Sequence, residues 1–282
     1  GVSVAVLDTG GMNLGHVDAP LNYGGCVNFV DTVDTTDPTT CADGHGHSTH
    51  VTGTIAARDN AYGVVGIAPE AEIWNVKVLS DGGSGMWSWI IAGVEWSAEN
   101  GIDVVNMSLG GFLDSQALHD ACDAAADAGV ILVAAAGNSG SFFGIPIDSM
   151  TYPARYESVF SVAAMAVDGT RASFSSVGEE MDFAAPGVDV YSTLPDGWAD
   201  DWDGTSMATP HVVGTVALMK SVNPTLSPDC AYEILRLTSS SPSGAYDLWN
   251  PEMGYGVVHA SAAALAASAN STLATSVCPP SY

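Results

Sequence analysis

The sequence has little positive charge. Only 6 of its 282 residues are lysine or arginine, against 32 aspartate and glutamate residues, so the formal net charge is −26. Nucleic acids and anionic membrane surfaces attract proteins mainly through clustered basic side chains. We therefore expect neither a nucleic acid nor a membrane as a partner of this chain.

Long apolar runs, linkers and phosphate-binding loops are also missing. The longest helical apolar pattern, residues 212–219, is far shorter than the roughly 20 residues that cross a bilayer. No run rich in Pro, Ser and Gly divides the chain before its C-terminal tail. No glycine-rich segment has the phosphate-loop pattern of a nucleotide-binding protein. We expect one domain over residues 1–265 and a tail over residues 266–282.

Apolar, β-branched segments alternate with helix-like segments along the chain. Such alternation predicts an α/β fold in which a parallel β-sheet is flanked by helices on both faces, giving three layers. Ligands of such sheets gather beyond the carboxyl ends of the strands. The predicted strands are 2–7, 72–79, 103–107, 130–135 and 159–164, and the predicted helices are 47–57, 87–99, 115–128, 206–220 and 228–237.

Ser206 lies in the sequence Gly-Thr-Ser-Met-Ala-Thr-Pro-His, at a predicted junction of loop and helix. The preceding residues 196–203 are polar and turn-rich, whereas residues 212–219 are apolar and helix-like. We expect Pro210 in the first helical turn, where its missing N–H costs little. The unpaired amides of a helix start favour a developing anion, so Ser206 is either an ordinary helix cap or a nucleophile.

Two further segments favour the nucleophile. An apolar run over residues 2–7 leads into Asp8 and Gly10, which is typical of a buried parallel strand that ends in a functional carboxylate. His47 lies in a glycine-rich loop that leads into a helix. Together the three segments supply an acid, a base and a nucleophile in the order Asp, His, Ser.

The chain resembles the subtilase family of serine endopeptidases. Segments 83–96, 103–111, 134–138 and 185–188 also resemble subtilase signatures, in family order, over residues 1 to about 262. The resemblance implies peptide-bond hydrolysis through an Asp8–His47–Ser206 triad and an acyl-enzyme. It also implies that the side chain of Asn138 and the backbone N–H of Ser206 donate to the oxyanion. Ser48 departs from the glycine usual in the family, but this change removes no catalytic group.

The resemblance implies that substrate binds as an extended strand between two chain edges, with small residues that let its backbone approach closely. Trp87 resembles an aromatic lid of the pocket for the fourth residue before the cut, although helical spacing with Trp89 also permits a core position. The pocket for the residue before the cut has no charged wall, so we expect apolar or aromatic preference. Thr151 should make this pocket shallower, because many relatives have glycine there. The edges are Gly83, Ser84, Gly85 and Ser108, Leu109, Gly110, and the pocket is lined by Ala135, Ala136, Gly137 and Thr151.

A polar loop resembles a structural Ca²⁺ site. Its oxygen ligands would come from Asp18, Asn60 and the carbonyls near Arg58, Tyr62 and Val64. The alternative is a solvated polar loop, since Arg58 replaces the apolar residue often found in relatives. No His and Cys cluster has metal-ligand spacing, so we expect no catalytic metal.

Five cysteines leave one without a partner. Cys26 and Cys41 bracket a polar, turn-rich loop, and a disulfide there would contribute about 3 kcal/mol in the chain-entropy model. We expect a second disulfide between Cys230 and Cys278 that ties back the tail, and a buried free thiol at Cys122. Two disulfides indicate an oxidising, extracellular compartment.

The family resemblance further predicts a secreted enzyme that acts on protein and peptide substrates as a monomer. The chain begins directly on its first strand, so we expect a processed or truncated form of a precursor with an inhibitory propeptide. The acidic composition favours life in high salt, with a secreted protein of acidic bias as the alternative. A peptide ligase or macrocyclase would need the same triad, whereas a non-catalytic relative is disfavoured because no triad residue is missing.

Overall fold

A seven-stranded parallel sheet forms the centre of the molecule. The computed structural model describes residues 1–32, 40–140, 148–241, 248–268, 276 and 278. The strand order is β2-β3-β1-β4-β5-β6-β7, and every neighbouring pair is parallel. The strands are β1 (Ser3–Asp8), β2 (Asn22–Asn28), β3 (Glu72–Lys77), β4 (Val104–Met107), β5 (Ile131–Ala135), β6 (Val159–Met165) and β7 (Phe183–Pro186), with a separate antiparallel hairpin of β8 (Val190–Thr193) and β9 (Ala199–Trp202).

Helices cover both faces of this sheet. The six described helices are α1 (His47–Ala56), α2 (Trp87–Glu99), α3 (Gln116–Asp127), α4 (Thr205–Val222), α5 (Pro228–Thr238) and α6 (Ala260–Ala267). One apolar core contains side chains of α1, α4, α5 and α6, and the other contains side chains of α2 and α3. Val4 and Val6 of β1 face the first core, whereas Ala5 and Leu7 face the second. A strand covered on both sides is apolar along most of its length, which explains the run that predicts β1. The predicted three-layer α/β fold is confirmed.

Five elements were not predicted from the sequence, namely β2, β7, β8, β9 and α6. Strand β2 contains two glycines and few apolar residues, and it pairs only with β3 at the edge of the sheet. The polar segment expected to form turns instead contains β9, whose sequence Ala-Asp-Asp-Trp pairs with β8. Helix α6 is nearly all alanine, so its sequence shows no amphipathic pattern, and strand β7 is only four residues long. Helix α6 also extends across the boundary expected between residues 265 and 266.

The cysteines pair as expected. The structure contains the Cys26–Cys41 and Cys230–Cys278 disulfides, with Cα–Cα separations of 6.1 and 5.4 Å, and Cys122 is a buried free thiol. Cys122 shares the buried face of α3 with Leu118, Ala121 and Ala125, and burial raises the pKa of its thiol to about 12. Cys122 is therefore a packing residue with little thiolate character. Within the described residues, no helix is both long enough and apolar enough to span a membrane.

Candidate active site

The candidate catalytic residues come together at the carboxyl edge of the sheet. Asp8 is the last residue of β1, and Ser108 directly follows β4. Asn138 lies three residues beyond the end of β5. Two helix starts reach the same edge, because α1 begins at His47 and α4 carries Ser206 in its first turn. The sheet topology thus assembles residues that are far apart in the sequence.

Asp8 and His47 form a buried hydrogen-bonded pair. The Nδ1 of His47 lies 2.8 and 2.9 Å from the two carboxylate oxygens of Asp8. The Asp8 side chain is fully buried, whereas the His47 side chain is 18% exposed. Burial lowers the pKa of His47, but the charge and hydrogen bond of Asp8, together with the charge of Asp43, outweigh burial and raise this pKa above its ordinary value. The geometry holds the proton on Nδ1 and leaves Nε2 available as a base.

Asp43 is a site residue that the sequence analysis missed. Its Oδ1 accepts hydrogen bonds from the Thr9 hydroxyl and the Gly46 amide, both at 2.8 Å, and its Oδ2 accepts from the amide and hydroxyl of Thr49 at 2.9 and 2.7 Å. Gly46, directly before His47, has a left-handed φ of 98° that favours glycine. Asp43 therefore fixes the turn that delivers His47. The one feature of the sequence that could have indicated this role is that Asp43 lies four residues before His47.

Ser206 contacts the end of β4. Its hydroxyl donates to the Ser108 carbonyl at 3.2 Å, and its own carbonyl accepts from the Ser108 hydroxyl at 2.8 Å. Pro210 was expected in the first turn of the helix, but α4 begins at Thr205, which places Pro210 in the second turn. The missing N–H of Pro210 is tolerated there because Ser108 supplies a donor to the carbonyl of Ser206.

Asn138 is oriented by Thr205. The Oδ1 of Asn138 accepts hydrogen bonds from the amide and the hydroxyl of Thr205, both at 3.0 Å. The residue is exposed to solvent. Since an amide side chain has one acceptor and one donor end, this anchoring directs the Nδ2 donor away from Thr205 and leaves it available to another group.

His47 and Ser206 line one cavity of about 660 Å³ together with both expected substrate edges. Trp87 is half-buried at the start of α2, where it lines this cavity and also packs against the core that contains α2 and α3. The remaining lining residues are Thr9, His45, Leu79, Gly83, Ser84, Gly85, Met86, Ile90, Ser108, Leu109, Gly110 and Gly111.

The residues expected around the side chain before the cut do not line this cavity. Ala135 and Ala136 are 3% and 0% exposed, so their side chains belong to the interior. The side chain of Thr151 lies between Gly110 and Gly137, where a Cβ on Gly137 would meet Thr151 Cγ2 at 3.0 Å. Its hydroxyl donates to the Ala136 carbonyl at 3.3 Å. Thr151 thus occupies space that a glycine would leave open.

The polar loop expected to bind Ca²⁺ surrounds the buried carboxylate of Asp18. Its two oxygens accept from the Asn60 side chain at 2.8 Å and from the Val64 amide at 3.2 Å. Asn60 also accepts from the Tyr62 amide at 2.6 Å, and Nε of Arg58 donates to the Ala19 carbonyl at 2.7 Å. The residues are gathered around one carboxylate, but the loop satisfies these polar groups by itself. Among the described residues, no three His, Cys, Asp or Glu side chains are grouped to hold a metal.

Comparisons with known proteins identify the family of this chain. Residues 1–256 match the subtilase family. The chain is 44% identical to Subtilisin DY of Bacillus licheniformis and 45% identical to Subtilisin Savinase of Lederbergia lenta, in each case over 93% of this chain and 90% of the relative. It is 49% identical to Subtilisin NAT of Bacillus subtilis subsp. natto over 79% of this chain and 56% of that relative. The chain belongs to the subtilase family and is a serine endopeptidase.

Proposed function

We propose that Asp8, His47 and Ser206 are the residues that hydrolyse the peptide bond. Ser206 attacks the scissile carbonyl, and His47 takes the proton of the hydroxyl and passes it to the leaving amine. Asp8 holds the His47 tautomer and stabilises the cation that forms. The observation that supports this proposal most strongly is that His47, which is hydrogen-bonded to the buried Asp8, lines the same cavity as Ser206.

The oxyanion of the tetrahedral intermediate would be bound by two donors. These are the Ser206 backbone N–H at the start of α4 and the Nδ2 of Asn138. The contacts of Thr205 support this assignment, because they use only the acceptor end of the Asn138 side chain. Each donor acts most strongly on the charge that develops during the reaction, so it lowers the barrier more than it strengthens substrate binding.

Covalent labelling tests this assignment directly. A sulfonyl fluoride should modify Ser206 and stop peptide hydrolysis in parallel with labelling, which peptide mapping by mass spectrometry can follow. Modification of another residue together with loss of activity would show that the nucleophile lies elsewhere. Since water and an added amine would attack the same acyl-enzyme, none of the described contacts favours ligation over hydrolysis.

Substrate would bind as an extended strand between residues 83–85 and residues 108–110. Both segments line the cavity that contains His47 and Ser206. Gly110 lies against Thr151 so closely that any side chain there would collide with its hydroxyl. The two edges therefore offer backbone N–H and carbonyl groups with little side-chain bulk, which suits strand addition. We place the ring of Trp87 over the fourth residue before the cut.

A preference for apolar or aromatic residues before the cut follows from the uncharged surroundings of Ala135, Ala136, Gly137 and Thr151. Cleavage of a peptide library should show this preference, with Thr151→Gly raising kcat/KM several-fold for the largest aromatic side chains because a glycine frees the space that Thr151 fills. Ser149→Gly, in the same segment, is the matched control. A dominant requirement for Arg or Lys before the cut would contradict the proposed pocket.

We assign the mature enzyme to the extracellular space, produced as a precursor with an inhibitory propeptide and acting as a monomer. The two disulfides support secretion, because such bonds persist in oxidising compartments. Processing could be tested by expressing a precursor with Ser206→Ala, which should accumulate uncleaved if the enzyme removes its own propeptide.

The acidic surface favours function at high salt. Five of the six basic residues are paired with carboxylates, namely Lys77, Arg155, Arg171, Lys220 and Arg236, so most of the 32 acidic residues have no cationic partner. Salt screens the resulting repulsion, with a Debye length of about 3 Å at 1 M. We expect the melting temperature to rise steadily from low to molar NaCl. A constant melting temperature over that range would contradict adaptation to salt.

The same measurement of melting temperature tests calcium binding by the Asp18 loop. Asp18, Asn60 and the carbonyls of Arg58, Tyr62 and Val64 would hold the ion, which would supply positive charge to the buried carboxylate. At molar NaCl, a chelator should lower the melting temperature of the wild type but leave that of Asp18→Asn unchanged. Equal responses of the two proteins would show that the loop holds no calcium.

A further inference from the structure

The end of β4 and the start of α4 are joined by two reciprocal hydrogen bonds. The Ser108 hydroxyl donates to the Ser206 carbonyl at 2.8 Å, and the Ser206 hydroxyl donates to the Ser108 carbonyl at 3.2 Å. Ser108 is only 2% exposed, so water does not compete freely for its hydroxyl. One serine thus contacts both the backbone and the side chain of the candidate nucleophile.

The carbonyl of Ser206 needs this external donor because of Pro210. In an α-helix, the carbonyl of each residue accepts from the N–H four residues later. The residue four positions after Ser206 is Pro210, which has no N–H. Side chains of the same helix serve the neighbouring carbonyls, since the Thr209 hydroxyl donates to Thr205 at 2.8 Å and His211 Nδ1 lies 2.9 Å from the Met207 carbonyl. For Ser206, the side-chain donor comes from another element.

Asn106 fixes the direction in which Ser108 donates. This residue of β4 is fully buried, and its Nδ2 donates to the Ser108 hydroxyl oxygen at 3.0 Å. A serine hydroxyl has a single proton, so with its oxygen occupied by an incoming N–H it gives that proton to the Ser206 carbonyl. The Oδ1 of Asn106 has no hydrogen-bond partner among the described residues. The Asn106 side chain therefore uses its donor end on Ser108.

We propose that Asn106 and Ser108 are positioning residues for the nucleophile, required because Pro210 withholds the helix's own donor. The inference rests on the proposed function of Ser206. The bond from Ser108 fixes the peptide unit that follows Ser206 and, through it, the directions of the Ser206 hydroxyl and N–H. Small displacements of a reacting group lower rates strongly, so this bond should affect turnover more than binding.

A double-mutant cycle of Ser108→Ala and Pro210→Ala tests the proposal. Ser108→Ala removes the hydroxyl but keeps the backbone carbonyl that accepts from the Ser206 hydroxyl. We expect kcat on a peptide amide to fall about fivefold to tenfold, the range of a net hydrogen bond, with KM within twofold of the parent. Pro210→Ala restores an N–H that can donate to the Ser206 carbonyl. In that background, Ser108→Ala should lower kcat less than twofold.

Two further variants sharpen the test. Asn106→Leu has no group that can donate to the Ser108 hydroxyl and should lower kcat as much as Ser108→Ala. If Pro210→Ala does not fold, Pro210→Ser supplies the same N–H. Each rate is divided by the concentration of protein that the sulfonyl fluoride can label. Misfolded molecules are then not counted, so they do not lower the measured kcat.

Equal losses from Ser108→Ala in both backgrounds, or a loss confined to KM, would overturn the proposal. A merely structural role for Ser108 would change the melting temperature without this dependence on residue 210. Failure of the proposed function is distinguishable, because the label would then map to a residue other than Ser206 in the parent enzyme.

Discussion

Replacing Ser206 with alanine should abolish peptide hydrolysis and covalent labelling while the protein remains folded. The side chain contributes one hydrogen bond, to the Ser108 carbonyl, and the carbonyl of residue 206 keeps its donor from the Ser108 hydroxyl. Loss of the nucleophile removes the acyl-enzyme route completely. The expected fall in kcat is about 10⁶-fold, a magnitude measured on a subtilisin in which the same triad was dissected.

The matched control for Ser206→Ala is Ser88→Ala. Ser88 is an exposed serine in the first turn of α2, so it shares the helix position of Ser206. The control should keep its kcat/KM within twofold of the wild type, with unchanged circular dichroism for both variants. Activity of Ser206→Ala within tenfold of the wild type would refute the assignment of the nucleophile.

Replacing Asp8 with asparagine should have the second-largest effect, about 10⁴-fold in kcat. An asparagine keeps the size of the side chain, but it lacks the charge that stabilises protonated His47 and can hold the wrong tautomer. Both carboxylate oxygens of Asp8 lie within 2.9 Å of His47 Nδ1, and Oδ1 also accepts from the Thr9 amide at 2.7 Å. Asp127→Asn, which changes an exposed carboxylate in the last turn of α3, should leave kcat unchanged.

The pH dependence gives an independent measure of the same pair. His47 must be neutral to act as a base, so activity is lost as the pH falls through its pKa. Asp8 raises the pKa of His47 against the opposing effect of burial, and the pKa should therefore fall when the carboxylate becomes an amide. The acid limb of kcat/KM should move to lower pH in the residual activity of Asp8→Asn. A limb that stayed in place would show that another group controls it.

The sequence predicted the parts of the structure whose residues are uniformly buried or chemically specialised. Strands β1, β4 and β5 are mostly apolar because helices cover both faces, and Asp8 stands out at the end of such a run. Polar β9 could not be predicted in the same way, since its pairing with β8 depends on tertiary contacts. Likewise, the alanine-rich α6 is stabilised by packing, with Ala263 and Ala267 buried in the core.

Within the site, the sequence indicated which residues carry chemistry but not which residues hold them. Asp43 lies only four positions before His47, yet nothing in its neighbours shows that it accepts from Thr9, 34 positions away. Pro210 lies in the second turn of α4 and not in the first, and the donor that replaces its N–H comes from Ser108, which lies 102 positions earlier in the sequence. Hydrogen bonds between distant segments leave no periodic pattern in a sequence.

The position of β1 has a consequence for how this protease comes into being. The first strand of the chain lies in the middle of the sheet, between β3 and β4, so Asp8 is held only after much later segments have arrived. Ser206 arrives later still in the sequence, on α4. Parallel sheets with such distant pairings fold slowly, through intermediates that expose apolar strands. Catalytic competence is therefore acquired late in folding, after β1 has paired with β3 and β4 and α4 has packed against the sheet.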